Sequence, residues 1–156
     1  MNRQHPARFN NTPVHIRVFE KDVSLIERFD RERAHKGWRR KAMVSALTLF
    51  GQDEMMAMYA SYQDLTDMIR HRFTNPNETL RELFGRFVFN IFCGNTDDHA
   101  RNHAAFWDSS NLTLTPAYDV CPQPRTGNEA SQAMLIYGAL IWPMPSCASG
   151  HQPLLA

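Results

Sequence analysis

The amino-terminal part of the chain alternates between apolar and polar positions with the two-residue period of a half-buried strand. Residues 14–19 follow this alternation, and residues 23–29 resume it after a polar break. The two segments together predict a β-hairpin. Residues 30–41 contain nine charged or histidine side chains, a composition that favours an exposed hinge or linker.

Three later segments carry apolar residues at the three- and four-residue intervals of a helix face. The first helix is predicted over residues 41–50, closed by Gly51, and the second over residues 59–73. The third and most regular helix is predicted to begin at Asn77 as N-cap and to end near Gly94. Its apolar positions are Leu80, Leu83, Phe84, Phe87, Val88, Ile91 and Phe92.

The chain then changes from helical to strand-like patterns. A polar loop over residues 95–103 precedes a hairpin predicted over residues 104–115, and a further loop covers residues 116–122. Residues 133–136 fit either a strand or the start of a helix. The order is therefore helix, polar loop, hairpin, loop.

Composition adds limits to this pattern. The 156 residues are 43% hydrophobic, enough for one domain with a core, and the formal charge of +1 names no nucleic-acid or membrane partner. The three cysteines are widely spaced, and the polar amino terminus has no signal-peptide core, so we expect a soluble cytoplasmic protein. The basic stretch Trp38-Arg-Arg-Lys41 is expected to be a solvated surface without direct contact to nucleic acid.

The densest chemistry lies in Asn95-Thr-Asp-Asp-His-Ala-Arg-Asn102. Protein kinases use an Asp to accept the substrate's hydroxyl proton and an Asn five positions later to hold magnesium, and Asp97 and Asn102 have that spacing. They also need a second acid after a short hairpin, and Asp119 follows the predicted hairpin. Carboxylate and amide oxygens suit Mg²⁺.

Two other interpretations of this loop remain open. Its Asp and Asn side chains could simply cap turns through bonds to the backbone. Alternatively, Asp97, His99 and His103 could form a metal site, because imidazoles four residues apart can share one helical face.

The segment from Gly94 to Asn102, followed by Leu114-Thr-Pro-Ala-Tyr-Asp-Val120, closely resembles the signature of HipA-type serine/threonine kinases, the toxins of toxin–antitoxin modules. In that family the two segments are D-x-H-x-K-N and L-x-P-x-Y-D. The resemblance implies Asp97 as catalytic base, with Asn102 and Asp119 holding Mg²⁺. Arg101 replaces the usual Lys and keeps a positive charge near the phosphates of ATP, although a planar guanidinium is not equivalent to an ammonium.

A second stretch, Leu25-Ile-Glu-Arg-Phe-Asp-Arg31, resembles the family's V-E-R-F-D segment, which joins the two kinase lobes and contacts adenine. The resemblance implies that Glu27 and Phe29 lie at the adenine and Asp30 near the ribose.

The resemblance covers residues 14–138, a partial kinase carboxy-terminal domain preceded by a polar segment, residues 1–13. Those thirteen residues are too few for the Gly-rich loop, Lys and Glu that align the nucleotide. Residues 139–156 depart from the family and are expected to be a poorly ordered tail, and a frameshifted or prematurely ended reading frame is our hypothesis for its origin.

These observations predict an α+β fold, a mainly helical kinase-like larger lobe with a remnant two-stranded hairpin of the smaller lobe. The implied activity is transfer of the ATP γ-phosphoryl group to a protein Ser or Thr, with this chain expected to be weak or inactive alone. The alternatives are a non-catalytic module that docks an antitoxin-like DNA-binding partner and a histidine-based metalloprotein.

Overall fold

The structure is a computed structural model that describes residues 14–124, 129–136 and 139–143. Its helices are α1 (Ala46–Leu49), a 3₁₀ helix (Glu54–Tyr59), α2 (Tyr62–Arg72) and α3 (Pro76–Cys93). Its strands are β1 (Val14–Val18), β2 (Lys21–Leu25), β3 (Arg31–Ala34), β4 (Gly37–Arg40), β5 (Met43–Ser45), β6 (Ala104–Trp107), β7 (Leu112–Leu114), β8 (Glu129–Ile136) and β9 (Ala139–Pro143). The strands pair antiparallel as β1–β2, β3–β4, β5–β6–β7 and β8–β9. The predicted α+β architecture is confirmed.

Two hairpins occupy the amino-terminal quarter. The first, β1–β2, is the predicted one, with Val14 opposite Leu25. The second, β3–β4, overturns the prediction of a linker over residues 30–41. Charged side chains do not prevent strand formation, because in an exposed hairpin they point into solvent while the backbone groups pair across the strands.

The helical prediction for residues 41–50 is largely wrong. Residues Met43–Ser45 form β5, and only Ala46–Leu49 form a short helix, α1. Met43 pairs with Phe106 and Ser45 with Ala104, so a tertiary strand pairing overrides the helical spacing of the apolar residues. The hairpin predicted over residues 104–115 is confirmed as β6–β7.

Helices α2 and α3 contribute Tyr62, Leu65, Ile69 and Leu83 to the buried core. Ser61 caps α2, accepting a hydrogen bond from Asp64 N at 3.0 Å. Helix α3 ends at Gly94 as predicted, but it begins two residues earlier than expected, because its N-cap is Asn75 rather than Asn77 and Pro76 lies in its first turn. Proline suits that place because its missing N–H would have no intrahelical partner there.

The core lies where α2, α3, the β5–β6–β7 sheet and β8 meet. Its buried apolar side chains include Leu65, Ile69, Leu83, Leu112 and Met134. Residues 133–136, left open between strand and helix, belong to β8. Over the described ranges no helix combines the length and the apolar character needed to cross a membrane.

Two predicted segments lie partly or wholly outside this description. The polar residues 1–13 are outside the described residues, as are residues 144–156 of the expected tail. The first residues of that tail, 139–143, form β9 and pair with β8.

Candidate active site

The polar loop of residues 95–103 starts from the carboxyl end of α3, where Gly94 adopts a left-handed conformation with φ 73°. Asn95 is fixed to the last turn of the helix: its N donates to Asn90 O at 2.9 Å and its Nδ2 to Asn90 Oδ1 at 3.1 Å. The backbone of Gln123 crosses this point, its N donating to Cys93 O at 3.1 Å. The start of the loop is therefore held by helix and chain together.

Within the loop, Asp97 and Asn102 are directly connected. The side-chain Nδ2 of Asn102 donates to the backbone oxygen of Asp97 at 3.1 Å, and Asn102 N donates to His99 O at 2.8 Å. Asp97 is exposed, whereas Asn102 is buried. Asp97 is therefore accessible to solvent, whereas Asn102, five residues later, faces the interior.

The buried side chain of Asp98, which is only 3% exposed, holds the loop in place. Its carboxylate accepts a hydrogen bond from the hydroxyl of Tyr62, and His103 Nε2 lies 3.1 and 3.2 Å from its two oxygens. Burial opposes the charge of Asp98, but the contacts with His103, Tyr62 and Asn90 outweigh it and hold the pKa of Asp98 below its usual value. Burial, followed by the charge of Asp98, raises the pKa of Tyr62, so its hydroxyl stays a donor.

Asp119 has an unusual backbone, with φ 56° in the left-handed region. Few non-glycine residues enter this region, but Asp and Asn do so more readily than most, and surrounding contacts can fix the conformation. One such contact is adjacent: the hydroxyl of Tyr118 donates to the backbone oxygen of Arg101 at 2.5 Å. Burial, and then the charge of Asp119, raises the pKa of Tyr118 to about 12. This bond ties the segment of Asp119 to the polar loop.

The ring of Tyr118 also meets the segment between the β1–β2 and β3–β4 hairpins. Phe29 lies 5.6 Å from it, centroid to centroid, and 6.1 Å from the ring of Phe106 in β6. Residues predicted to serve adenine, metal and base therefore belong to segments joined by direct contacts: Phe29 to Tyr118, and Tyr118 to the loop.

The other two residues predicted at the nucleotide are chain neighbours of Phe29: Asp30 follows it directly, and Glu27 precedes it by two positions. Asp30 accepts two hydrogen bonds from Arg28, at 2.8 and 2.6 Å, and these hold its pKa below the usual value. Its backbone oxygen accepts from Lys41 N at 2.9 Å, which closes the base of the β3–β4 hairpin. Glu27 is exposed.

Arg101, which the resemblance implied near the phosphates of ATP, is paired with an acidic side chain in this structure. Its guanidinium forms an ion pair with Glu54 of the 3₁₀ helix, and both side chains are about half exposed or more. Because such exposed pairs are weak, this one leaves the guanidinium available to another anion.

A small pocket brings Asn102 together with the residues on either side of Asp119. It is lined by Arg86, Phe89, Asn90, Asp98, Asn102, His103, Ala117, Tyr118 and Val120. Arg86, 5% exposed, fixes one wall: its Nη2 donates to Thr115 O at 2.6 Å and its Nε to Glu82 at 2.9 Å. The same helix, α3, thereby positions both the loop and the segment leading to Asp119.

The side-chain oxygens of Asn102, Asp97 and Asp119 are of the kind that Mg²⁺ prefers. Neither Asp97 nor Asp119 lines the pocket beside Asn102. Asn102 uses its Nδ2 on Asp97 O, which leaves its amide oxygen as the acceptor, and Asp97 and Asp119 offer exposed carboxylates. In the part of the chain described, no group of three or more His, Cys, Asp and Glu side chains is placed to hold a metal alone. Mg²⁺ does not require one, because it keeps waters and substrate phosphates as ligands.

Sequence reasoning missed the supporting residues. Asp98 was indistinguishable from Asp97, since neighbouring acids in a loop give no periodic signal of which one is buried. Tyr62 and Arg86 looked like ordinary helix residues, and their roles depend on contacts 36 and 29 residues away in the chain. For Tyr118 there was a sequence signal, because it lies inside the Leu114–Val120 motif.

Comparison with known proteins identifies the family and the fold. Residues 3–142 match the family described as HipA-like C-terminal domain. A Haemophilus influenzae protein named "Putative kinase" is 28% identical over 120 residues, which is 70% of this chain and 34% of that protein.

A solved structure from Shewanella oneidensis MR-1, a complex of the toxin–antitoxin proteins HipA and HipB with operator DNA, matches with a TM-score of 0.70. The match has 19% identity and covers 83% of this chain, so it shows the fold. In both comparisons the chain spans 34% of the length of its relative. The chain belongs to the HipA-like C-terminal domain family.

Proposed function

We propose that this chain carries the magnesium and proton-transfer half of a HipA-type serine/threonine kinase active site. The observation that carries the proposal is the convergence of two distant segments: Asn102 shares a pocket with the residues flanking Asp119, and Tyr118 bonds to the loop backbone. A solvated loop whose side chains only cap turns does not require this cross-connection.

In the proposed reaction the hydroxyl oxygen of a protein Ser or Thr bonds to the γ-phosphorus of ATP while the bond from that phosphorus to the bridging oxygen breaks, releasing ADP. Asp97, whose side chain is exposed, accepts the hydroxyl proton. Asn102 and Asp119 would hold Mg²⁺, which when bound would neutralise charge on the phosphate oxygens. Arg101 exchanges Glu54 for a phosphate.

On the nucleotide side, Phe29 lies beside the adenine. Its ring already packs on Tyr118, so adenine binding and the position of Asp119 are linked through one aromatic contact. Glu27 and Asp30 contribute to this side, Asp30 through a carboxylate that Arg28 keeps ionised.

Thermal stability with Mg²⁺ and ATP tests the metal assignment directly. A ligand that binds only the folded chain stabilises it by RT ln(1 + [L]/Kd), about 2.7 kcal/mol at one hundred times Kd. We expect Mg-ATP to raise the melting temperature, and Asp119→Asn to abolish the increase. Asn has nearly the same shape and tolerates a positive φ, so this substitution removes the charge without adding strain.

A matched control separates the site from general charge. Asp67→Asn removes one acid from the exposed surface of α2, and the Mg-ATP effect should survive it. An increase that persists in Asp119→Asn, or one produced by Zn²⁺ alone and lost in His99→Ala, would refute the kinase assignment.

Turnover needs further groups, a Gly-rich loop and a Lys, that bind the phosphates of ATP. The described residues contain no Gly-rich loop, their glycines being isolated from one another along the chain. We therefore expect no phosphorylation of a general protein substrate by this chain alone, and recovery on adding the amino-terminal lobe of a HipA-type relative. The recovered activity should vanish with Asp97→Asn. Turnover of about 1 s⁻¹ by the chain alone would contradict this expectation.

A second candidate function follows from the likeness to a HipA solved with HipB and operator DNA. The chain would then dock an antitoxin-like DNA-binding partner without catalysis. The Mg-ATP affinity distinguishes the two candidates. The docking function requires no affinity for Mg-ATP, and Asp119→Asn should not change it.

A further inference from the structure

The β3–β4 hairpin concentrates positive charge on an element that sequence analysis had taken for a linker. Residues 30–41 carry six Lys and Arg side chains against two acidic ones, a net charge of +4 in a chain whose total is +1. Because the segment is a paired hairpin, its side chains are sorted onto two faces.

The register decides which side chains share a face. Arg31 pairs with Arg40 and Arg33 with Trp38, so these four residues lie on one face, which we call the Arg–Trp face. Glu32 pairs with Arg39 on the opposite face, and the two form an ion pair there.

The Arg–Trp face lacks compensation. Within the described residues Arg33 and Arg40 have no ion pair or side-chain hydrogen bond, and both are exposed. Only Arg31, at the base, contacts an acid, Asp30 at 3.3 Å. Like charges directly opposite each other destabilise a strand pair, so the Arg31–Arg40 pair disfavours the free hairpin. A bound anion would relieve that repulsion.

The aromatic ring indicates which anion. Trp38 is 66% exposed and its indole has no ring, cation–π or hydrogen-bonding contact in the part of the chain described. An exposed indole flanked by guanidinium groups matches the combination by which proteins bind single-stranded nucleic acid: bases stack on the ring and arginines track the backbone phosphates. An acidic peptide would use the charges but would leave the ring unused.

We propose that the Arg–Trp face binds single-stranded nucleic acid, with a base stacked on Trp38 and phosphates on Arg33 and Arg40. The proposal stands apart from the proposed kinase chemistry, since none of these side chains is among those assigned to the nucleotide, the metal or the proton transfer. It replaces the expectation of a merely solvated surface at Trp38–Lys41.

Fluorescence anisotropy with the full chain tests the proposal, using labelled oligouridine and oligothymidine of about a dozen nucleotides, within the range that one stacking site covers. We expect binding that weakens with salt. Arg33→Ala and Arg40→Ala should each lower the slope of log affinity against log salt by about 0.7, the value for one phosphate contact to a single strand. Comparing the two probes distinguishes RNA from DNA as the source of the same chemistry.

Substitution of Trp38 tests stacking. Trp38→Thr removes the ring but keeps a strand-forming residue, and it should weaken binding about 5-fold or more, while Trp38→Phe should retain most of the affinity. Two charge-matched controls, Arg39→Ala on the opposite face and Arg70→Ala on α2, should leave the affinity for both probes much less affected. Circular dichroism confirms that each variant folds.

Three results would overturn the proposal. The first is unchanged affinity in Trp38→Thr. The second is equal or tighter binding of a duplex of the same sequence, since a paired base cannot stack on the ring. The third is a loss in Arg70→Ala as large as that in Arg33→Ala, which would show attraction to net charge alone.

Discussion

The buried carboxylate of Asp98 gives the sharpest test of how the candidate site is held. Replacing it by Ala leaves two buried donors, the Tyr62 hydroxyl and the His103 imidazole, without their acceptor. Each unsatisfied buried donor costs about 1–3 kcal/mol, so we expect Asp98→Ala to lower the free energy of unfolding by about 2–6 kcal/mol. Urea denaturation followed by circular dichroism measures this difference.

Two further variants calibrate that result. Tyr62→Phe removes one hydrogen bond to a charged acceptor but keeps the ring that packs on Phe87 at 4.9 Å, so the expected loss is about 1.5–3 kcal/mol. Asp67→Ala breaks only an exposed ion pair and should cost at most about 1 kcal/mol. If Asp98→Ala were no more destabilising than Asp67→Ala, the claim that this network anchors the loop would be wrong.

Other predictions follow from the same structure. Gly94→Ala and Gly51→Ala both place Ala at a positive φ, but only at Gly94 would the new Cβ meet a backbone atom, Gln123 O at 2.4 Å, so thermal melting should show a clearly larger loss for Gly94→Ala. The contribution of Asp98 to stability, with its lowered pKa, should be complete above the usual carboxyl range and lost as pH falls below it, and denaturation in acid should show a smaller pH dependence in Asp98→Asn. The contribution of Tyr118 to stability has the opposite pH dependence: it is complete below the usual pKa of 10.0 and lost as pH rises through about 12. The titration of tyrosinate absorbance, compared with that of Tyr118→Phe, measures this raised pKa.

The sequence predicted those parts of the fold whose pattern is local. The alternation of residues 14–29 gave a hairpin, and the long apolar repeat ending at Gly94 gave α3, because each depends on neighbours within a few residues. The strand β5 was missed because its partner, β6, is far along the chain and the local apolar spacing of residues 41–50 mimics a helix. The β3–β4 hairpin was missed because strand formation there depends on backbone pairing rather than on apolar side chains.

The site divides in the same way. The kinase-like spacing from Asp97 to Asn102, and the position of Asp119 after a hairpin, could be found in the sequence because chemistry restricts residue types there. The residues that hold the loop in place could not be found in this way. Which acid of the Asp97–Asp98 pair is buried depends on Tyr62, a residue of another helix, and the bond from Tyr118 ends on a backbone oxygen, which every residue has.

The pairing of β5 with β6 has a consequence for how the protein folds. It joins Ser45 to Ala104, whereas the neighbouring β6–β7 hairpin joins Trp107 to Leu112. Closing the longer loop costs about 2 kcal/mol more in chain entropy, since the cost grows with the logarithm of loop length. We expect contacts so distant in sequence to form late, after α2 and α3 within the loop have formed. Residues 97–103 directly precede β6, so we expect the loop that carries Asp97 to form together with this late strand pairing. Substitutions in β5 or β6 that weaken the pairing should therefore delay the return of nucleotide binding during refolding more than the return of the helical circular dichroism signal.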